Sequence, residues 1–266
     1  MSEKLKVMTF NIRVEAGIDG INELPNRKGR IYETIVNESP DLIGFQEAGD
    51  GARAWLRDIL TDYVVVGCGG LEGYRGPSTP IAFKKDKFEM VSLDSFWLSS
   101  TPKVAGSIYE GSDQHPNCPR IAIAVVLKPI DSTELLLFIN THADHKGPIA
   151  RTLAVSQILE YASQKSMNTV ITGDFNARPQ WAEVKMMTAN KNFPLVDITV
   201  NVGGTFHSFG ARRENAERFE DRPSKIDYIF SNLPSDIEES YAVEDIPVNG
   251  VYISDHFPVV AFVEIK

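Results

Sequence analysis

Apolar residues recur with two alternating periods along the chain. Leu5-Lys6-Val7-Met8-Thr9-Phe10 alternates apolar and polar positions, the period of a β-strand, and stops at Asn11. Around residues 30–37 the spacing becomes helical, with Ile31, Ile35 and Val36 on one face and Pro40 closing the segment. Asp41-Leu42-Ile43-Gly44-Phe45 reads as a short buried strand that ends at Gln46-Glu47. A second helix carries Trp55, Leu56, Ile59 and Leu60. Strands are expected at 63–66, 80–83, 87–98, 120–127 and 134–141. Residues 99–119, rich in Ser, Gly and Pro, form a loop long enough to suggest function rather than a hairpin turn. Pro148 opens a helix on which Ile149, Leu153, Val155, Ile158 and Leu159 recur at roughly helical spacing. A strand then ends at Asp174, and a short helix covers 181–187. A charged loop at 211–224 precedes strands at 225–231 and 258–265. No linker, repeat or shift of composition interrupts this alternation, so residues 1–266 read as one domain.

Composition narrows the class. With 42% hydrophobic and 24% charged residues the chain is of ordinary globular type. No apolar run approaches the ~20 residues of a membrane span. Met1-Ser2-Glu3-Lys4 leads straight into a strand without the apolar core of a signal peptide, so a cytoplasmic protein with no membrane partner is expected. Two cysteines, Cys68 and Cys118, are too few for a disulfide framework or a thiolate metal site, and are expected to be small, buried and reduced. A net charge of −9 lowers the expectation of nonspecific duplex binding. It suits carboxylates gathered around a cation.

Strand after strand ends in a hard-oxygen or imidazole side chain: Asn11, Glu47, His142 with Asp144, and Asp174 with Asn176. Asp227 lies just inside its strand, and Asp255 and His256 precede the last one. Each has an ordinary explanation alone. Asn11 is a turn residue, Glu47 a helix cap, Asp174 and Asn176 an Asx-turn, and Asp144-His145 and Asp255-His256 surface pairs. Their joint recurrence at strand boundaries is harder to explain by turns. Asn, Asp and Glu oxygens suit Mg²⁺ or Mn²⁺.

The ordered segments "MTFNIR" (8–13), "LIGFQEA" (42–48), "INTHADH" (139–145), "TGDFNARP" (172–179), "KIDYIF" (225–230) and "SDHFPV" (254–259) resemble the endonuclease/exonuclease/phosphatase superfamily. The resemblance runs from residue 7 to residue 262. It implies an α/β fold of DNase-I type, a four-layer sandwich of two mixed β-sheets packed face to face with helices outside. It also implies Glu47 as principal Mg²⁺ ligand, assisted by Asn11 with Asp255 beside the metal, and Mn²⁺ as a substitute. Asp174 would orient or deprotonate the attacking water, and Asn176 would donate its amide to a phosphate oxygen. His256 would contact the scissile phosphate with Asp227 bonded to its ring, and His142 would make a further phosphate contact. Asp144 and His145 are matched in some bacterial members, with support and catalysis weighed evenly.

The sequence departs from the family where many relatives carry an acid, for here Gly76-Pro77-Ser78-Thr79-Pro80 has none and Glu72 is displaced. Phe96-Trp97-Leu98-Ser99, Pro119-Arg120 and Thr205-Phe206-His207-Ser208-Phe209 resemble a bacterial branch of unassigned substrate. Arg120 and His207 thereby join Asp144 and His145 as candidate substrate contacts. The expected function is Mg²⁺-dependent hydrolysis of a phosphoester in a small or medium phosphorylated molecule, such as a lipid headgroup, sugar phosphate or nucleotide derivative. The alternative is a DNA or RNA nuclease, with a groove drawn from Arg75, Lys103, Arg120, Lys146, Arg178, Arg212 and Arg213. An inactive binding module ranks last, since Glu47, Asp174, Asn176, Asp227 and His256 are all present. Oligomeric state is left open.

Overall fold

A computed structural model of the chain describes residues 3–191, 193–214 and 216–266. The first half runs β1 (Glu3–Asn11), α1 (Leu24–Glu38), β2 (Leu42–Gln46), α2 (Asp50–Ile59), β3 (Tyr63–Val66) and β4 (Ile81–Lys84). Strands β5 (Phe88–Trp97), β6 (Ile121–Pro129) and β7 (Leu136–His142) follow, then α3 (Pro148–Lys165) and β8 (Asn168–Asp174). The chain ends with α4 (Ala182–Ala189), β9 (Val196–Asp197), β10 (Asp227–Ser231), β11 (Tyr241–Ala242) and β12 (Val259–Ile265). One six-stranded sheet has the order β11-β12-β1-β2-β4-β3, the other β5-β6-β7-β8-β10-β9. Each mixes one parallel pair, β1–β2 or β7–β8, with antiparallel neighbours.

Three apolar clusters hold four layers together. Val7, Leu42, Phe83, Phe138, Val170 and Val263 pack between the sheets. Met8, Phe10, Ile31, Ile35, Phe45 and Leu56 seal α1 and α2 onto the first sheet, and Leu137, Ile171, Ala154, Ile158, Val184 and Met187 seal α3 and α4 onto the second. This is the expected sandwich with helices outside. Both faces of β1 are covered, so Met8, Thr9 and Phe10 are all buried despite the alternating sequence.

The helix boundaries and faces differ from the periodic reading. α1 begins at Leu24, with Pro25 in its first turn, because proline's fixed φ suits that position; Pro25 and Gly29 obscure the start in sequence. Val36, Ile149 and Leu153 are exposed rather than packed. The buried stripe of α3 is Ala150, Ala154, Ile158 and Ala162, four residues apart, where small side chains let the helix lie close to the sheet. β9 and β11, two residues each, are too short to leave a periodic trace, and the charged loop contains a 3-10 turn at Phe219–Asp221. Cys68 and Cys118 are unpaired but only half-buried. Among the described residues, no helix is long and apolar enough to cross a membrane.

A polar network crosses the interface between the sheets. Asn140 Nδ2 on β7 donates to the carbonyls of Phe45 (2.6 Å), Thr79 and Pro80 (both 3.1 Å). Its Oδ1 accepts from Gln46 Nε2 (2.7 Å) and Thr172 Oγ1 (3.0 Å). Gly44 makes this approach geometrically feasible, because a Cβ there would collide with the Thr172 hydroxyl and the Asn140 oxygen. Gly44→Ala should therefore destabilise the fold by about 3 kcal/mol, through overpacking against a buried hydrogen-bond network. Urea unfolding checks this, and an unchanged midpoint would show that the sheets part without strain.

Candidate active site

The parallel pairs determine where the chemistry gathers. Asn11 pairs with Gln46 at the ends of β1 and β2, and His142 pairs with Asp174 at the ends of β7 and β8. Antiparallel β10 presents its first residue, Asp227, opposite Asp174, and β12, antiparallel to β1, is preceded by His256. Carboxyl ends of parallel strands and amino ends of antiparallel ones thus meet at one edge of the sandwich.

A cavity of about 570 Å³ opens there. Glu47, His142, His145, Asp174, Asn176, Arg120, Asp255 and His256 line it. Asn11, Asp144, His207 and Asp227 stand behind that lining, buried. Of the seven cations offered for a nucleic-acid groove, Arg120, Arg178 and Arg212 reach the cavity, and Arg75, Lys103, Lys146 and Arg213 do not. Arg13, Trp181 and Ile226 also line it, and none of the three stands out in sequence as a site residue.

Asn11 is the hub. Its Nδ2 lies 3.0 Å from Asp174 Oδ2, 3.3 Å from Glu47 Oε1 and 3.4 Å from His256 Nε2, while its Oδ1 accepts from Arg13 N at 3.0 Å. The amide thus presents nitrogen, not oxygen, to the carboxylates. Glu47 has φ of 60°, a left-handed conformation uncommon for this residue type, and its Oε2 accepts from Val14 N at 2.8 Å. Asn176 is also left-handed, φ 48°, which folds it back so that its N–H donates to Asp174 Oδ1 at 2.9 Å. Its Nδ2 donates to Ala143 O at 3.2 Å and lies 3.0 Å from His142 Nε2. A neutral ring can accept this N–H at Nε2, which also lies 3.4 Å from Asp174 Oδ2. Burial, with Arg120 and His256 nearby, holds the His142 pKa well below its usual value, in agreement.

His256 has the opposite character. Its Nδ1 lies 2.8 Å from Asp227 Oδ2, which also accepts from Thr205 Oγ1 at 2.6 Å. Burial alone lowers the imidazole pKa, but Asp227, then Asp255 and Asp174, outweigh it and raise the value to about 10. Burial, with Asp227 opposite, raises Asp174 to about 7, and burial also raises Asp255. Both carboxylates are therefore poorly solvated in the fold.

Asp174, Asp227 and His256 place one ligand atom each within 4.8 Å of one another, so this trio could hold a metal ion. Asp227 Oδ2 is bonded to His256 Nδ1, while Asp227 Oδ1 is buried without a hydrogen-bond partner among the described residues. Glu47 and Asp255 are hard oxygen donors at the cavity wall, of the kind a divalent cation takes.

His207, buried, stacks on Phe257 at 4.1 Å and accepts at Nδ1 from Gly210 N. Asp144 accepts from the N–H groups of Lys146 (2.8 Å) and Gly147 (2.7 Å), shaping the turn into α3. Arg120 lies 3.1 Å from His145 Nδ1 and 3.9 Å from Asp144. Where relatives were expected to carry an acid, Ser78 is buried in the cavity wall with its Oγ unpartnered, and Glu72 is exposed outside the lining.

These shifts have a sign that can be measured on metal-free protein. His256, raised from 6.5 to about 10, contributes stability that is fully present below pH ~6.5 and is lost as pH rises through about 10. Asp174, raised to about 7, resists ionisation in the fold, so stability also falls as pH rises from ~4 to about 7. His142 and His207, both held below the usual histidine value, oppose this trend below pH ~6.5. With chelator present, the melting temperature should therefore be lower at pH 9 than at pH 7, where both stay neutral, and Asp227→Asn should flatten that slope. A melting temperature that climbs from pH 7 to pH 9 would contradict the His256 assignment.

Comparison with curated proteins gives no significant match. Solved structures do match along the whole chain. An endonuclease/exonuclease/phosphatase from Bacteroides vulgatus is 28% identical, with 99% of this chain and 100% of that one covered and a TM-score of 0.87. A mannosyl-6-phosphatase from Bacteroides thetaiotaomicron is 25% identical over 98% of this chain and 100% of that one, TM-score 0.82. TDP2 of D. rerio, solved with a single-strand DNA product, shares the fold at 17% identity, TM-score 0.73, covering 99% and 100%. The sequence pattern of the Endonuclease/Exonuclease/phosphatase family matches residues 8–256, from β1 through every strand end that feeds the cavity to His256. By that match the chain belongs to the Endonuclease/Exonuclease/phosphatase family, and membership supports a phosphoesterase or nuclease activity.

Proposed function

We propose that the protein is a Mg²⁺-dependent hydrolase of phosphoester bonds in a small or medium phosphorylated molecule. The observation that carries this reading is the convergence of Glu47, His142, Asp174, Asn176 and His256 on one cavity of about 570 Å³ with apolar walls at Leu71, Pro77, Pro119 and Ile226. Such a cavity suits a compact ligand. The full-length likeness to a mannosyl-6-phosphatase supports the same substrate class.

Glu47, with Asp255 beside it, would hold the cation, and Asn11 would fix Glu47 and Asp174 relative to each other through its Nδ2. When bound, the cation neutralises charge on a phosphate oxygen. Asp174 takes the proton of the attacking water, and its raised pKa makes it a competent base near neutral pH. Asn176, whose two amide N–H groups face His142 and Ala143 O, would turn one of them from the His142 ring to the phosphate. His256, kept cationic by Asp227, binds a phosphate oxygen, and neutral His142 orients Asn176. Arg13, Arg120, Arg178 and Arg212 at the cavity favour an anion, and are the feature a nuclease reading would use. The overall charge of −9 weighs against a long polyanion.

Glu47→Gln tests the metal assignment. The Mg²⁺ concentration for half-maximal turnover of an aryl phosphate should rise at least about tenfold. The rise in melting temperature that Mg²⁺ induces should shrink in parallel. An unchanged metal requirement in both measurements would place the ligand elsewhere.

A further inference from the structure

Two guanidinium groups converge on one neutral oxygen in the cavity wall. Arg178 donates from Nη2 to Ser224 Oγ at 3.1 Å, and Arg212 donates from Nη1 to the same atom at 3.2 Å. Both arginines, Ser224 and Phe206 line the cavity that Asp174, Asn176 and His256 line. Ser224 is fixed by a two-way bridge to Phe206, its N–H donating to Phe206 O at 3.1 Å and its carbonyl accepting from Phe206 N at 2.9 Å. Phe206 also bridges to His256, with ring centroids 4.9 Å apart, and the Arg212 guanidinium lies 5.0 Å from the Phe206 ring. Arg212, Ser224, Phe206 and His256 are therefore held together as one unit.

A hydroxyl has two lone pairs, and here the two arginines occupy both, leaving the O–H to donate outward. The remaining partners of Arg212 are the carbonyls of Glu220 and Arg222. Glu220, paired with Arg218, also lies within electrostatic reach of Arg178, so two guanidinium groups share this hydroxyl with one acid nearby. Like charges brought together beside a shared hydroxyl favour an anion, and guanidinium forks match phosphate or carboxylate oxygens.

We propose that Arg178, Arg212 and Ser224 form a second anion subsite beside the hydrolytic centre, so that the substrate is a phosphoester bearing a second phosphate. The proposal rests on the hydrolase reading above for the first subsite and names the substrate class within it. A small bisphosphate and a neighbouring phosphate in an oligonucleotide share this chemistry, and the size of the cavity favours the former.

The test uses matched pairs: fructose 6-phosphate with fructose 1,6-bisphosphate, and adenosine 5′-monophosphate with adenosine 3′,5′-bisphosphate. A single-stranded tetranucleotide is the other arm. Binding with Mg²⁺ is read by calorimetry on Asp174→Asn, and kcat/KM on the wild type. The bisphosphate of at least one pair should be preferred by about 100-fold, as expected for two charge-assisted contacts, and Arg178→Gln/Arg212→Gln should erase most of that ratio. If the double variant fails to fold, Arg212→Lys decides, because it keeps the charge, loses the fork and should lower the ratio. Equal binding within both pairs overturns the proposal. Tighter binding of the tetranucleotide through the same arginines overturns its small-molecule form. Arginine-dependent bisphosphate preference in binding, with no phosphoester turned over, upholds the subsite while removing the hydrolase reading.

Discussion

Asp174→Asn is expected to lower kcat for phosphoester hydrolysis by about 10³-fold, as removal of a general base does, without lowering stability. The argument follows the two oxygens. Oδ1 accepts from the backbone N–H of Asn176 at 2.9 Å, and Oδ2 accepts from Asn11 Nδ2 at 3.0 Å. Asparagine reproduces the shape but keeps only one acceptor, so its amide nitrogen must face one of those donors or turn into the cavity. In neither arrangement can it take a proton from water. A purely structural role predicts the reverse, little change in rate and a lower melting temperature.

The stability half of this result follows from the same burial. Asp174 is 1% exposed, and its pKa is pushed up to about 7 by burial and by Asp227. Above that pH the fold carries a carboxylate it solvates poorly, so the neutral amide should melt at the same temperature or higher at pH 8. Loss of rate together with retained or increased stability is the signature of a group placed for chemistry. Thermal unfolding and kcat measured on one preparation check both halves. A variant that keeps full activity would remove Asp174 from the mechanism.

Strand ends were the legible part of this site. Asn11, His142, Asp174 and Asp227 each end or begin a strand whose apolar residues mark it, Glu47 directly follows one, and strand pairing then brings them to one edge. The layers were legible for the same reason, since three buried surfaces require strands that are apolar on both faces. What stayed hidden has no periodic trace. The αL conformations of Glu47 and Asn176 arise from the turn each must make out of its strand. Arg178 and Arg212, 34 positions apart, meet only because Ser224 is bridged to Phe206. Small residues mark the packed face of α3, where the larger Ile149 and Leu153 drew the reading outward.

Arg27 is the most consequential residue without any sequence signal, and Arg27→Met should destabilise the protein by at least about 3 kcal/mol. It sits on α1, fully buried, where an amphipathic pattern would place an aliphatic side chain. Its Nη1 donates to Ile12 O at 2.7 Å and Ile253 O at 2.8 Å, its Nη2 to Arg13 O at 3.0 Å, and its Nε to Asn22 O at 2.5 Å. Burial lowers its pKa, opposed by the charges of Asp255 and Asp19, yet a guanidinium remains protonated. One side chain thus ties the segment leaving β1, which carries Asn11 and Arg13, to Ile253, which leads into Asp255 and His256. Methionine fills much of the volume and leaves four carbonyls without their donor. Lysine cannot span them either, because a single ammonium lacks the planar fork. Both variants should therefore lose stability and activity together, unlike Asp174→Asn. Urea midpoints beside kcat/KM at saturating Mg²⁺ separate the two patterns. A stable Arg27→Met protein with normal turnover would mean that the edge of the sandwich keeps its geometry without this clamp.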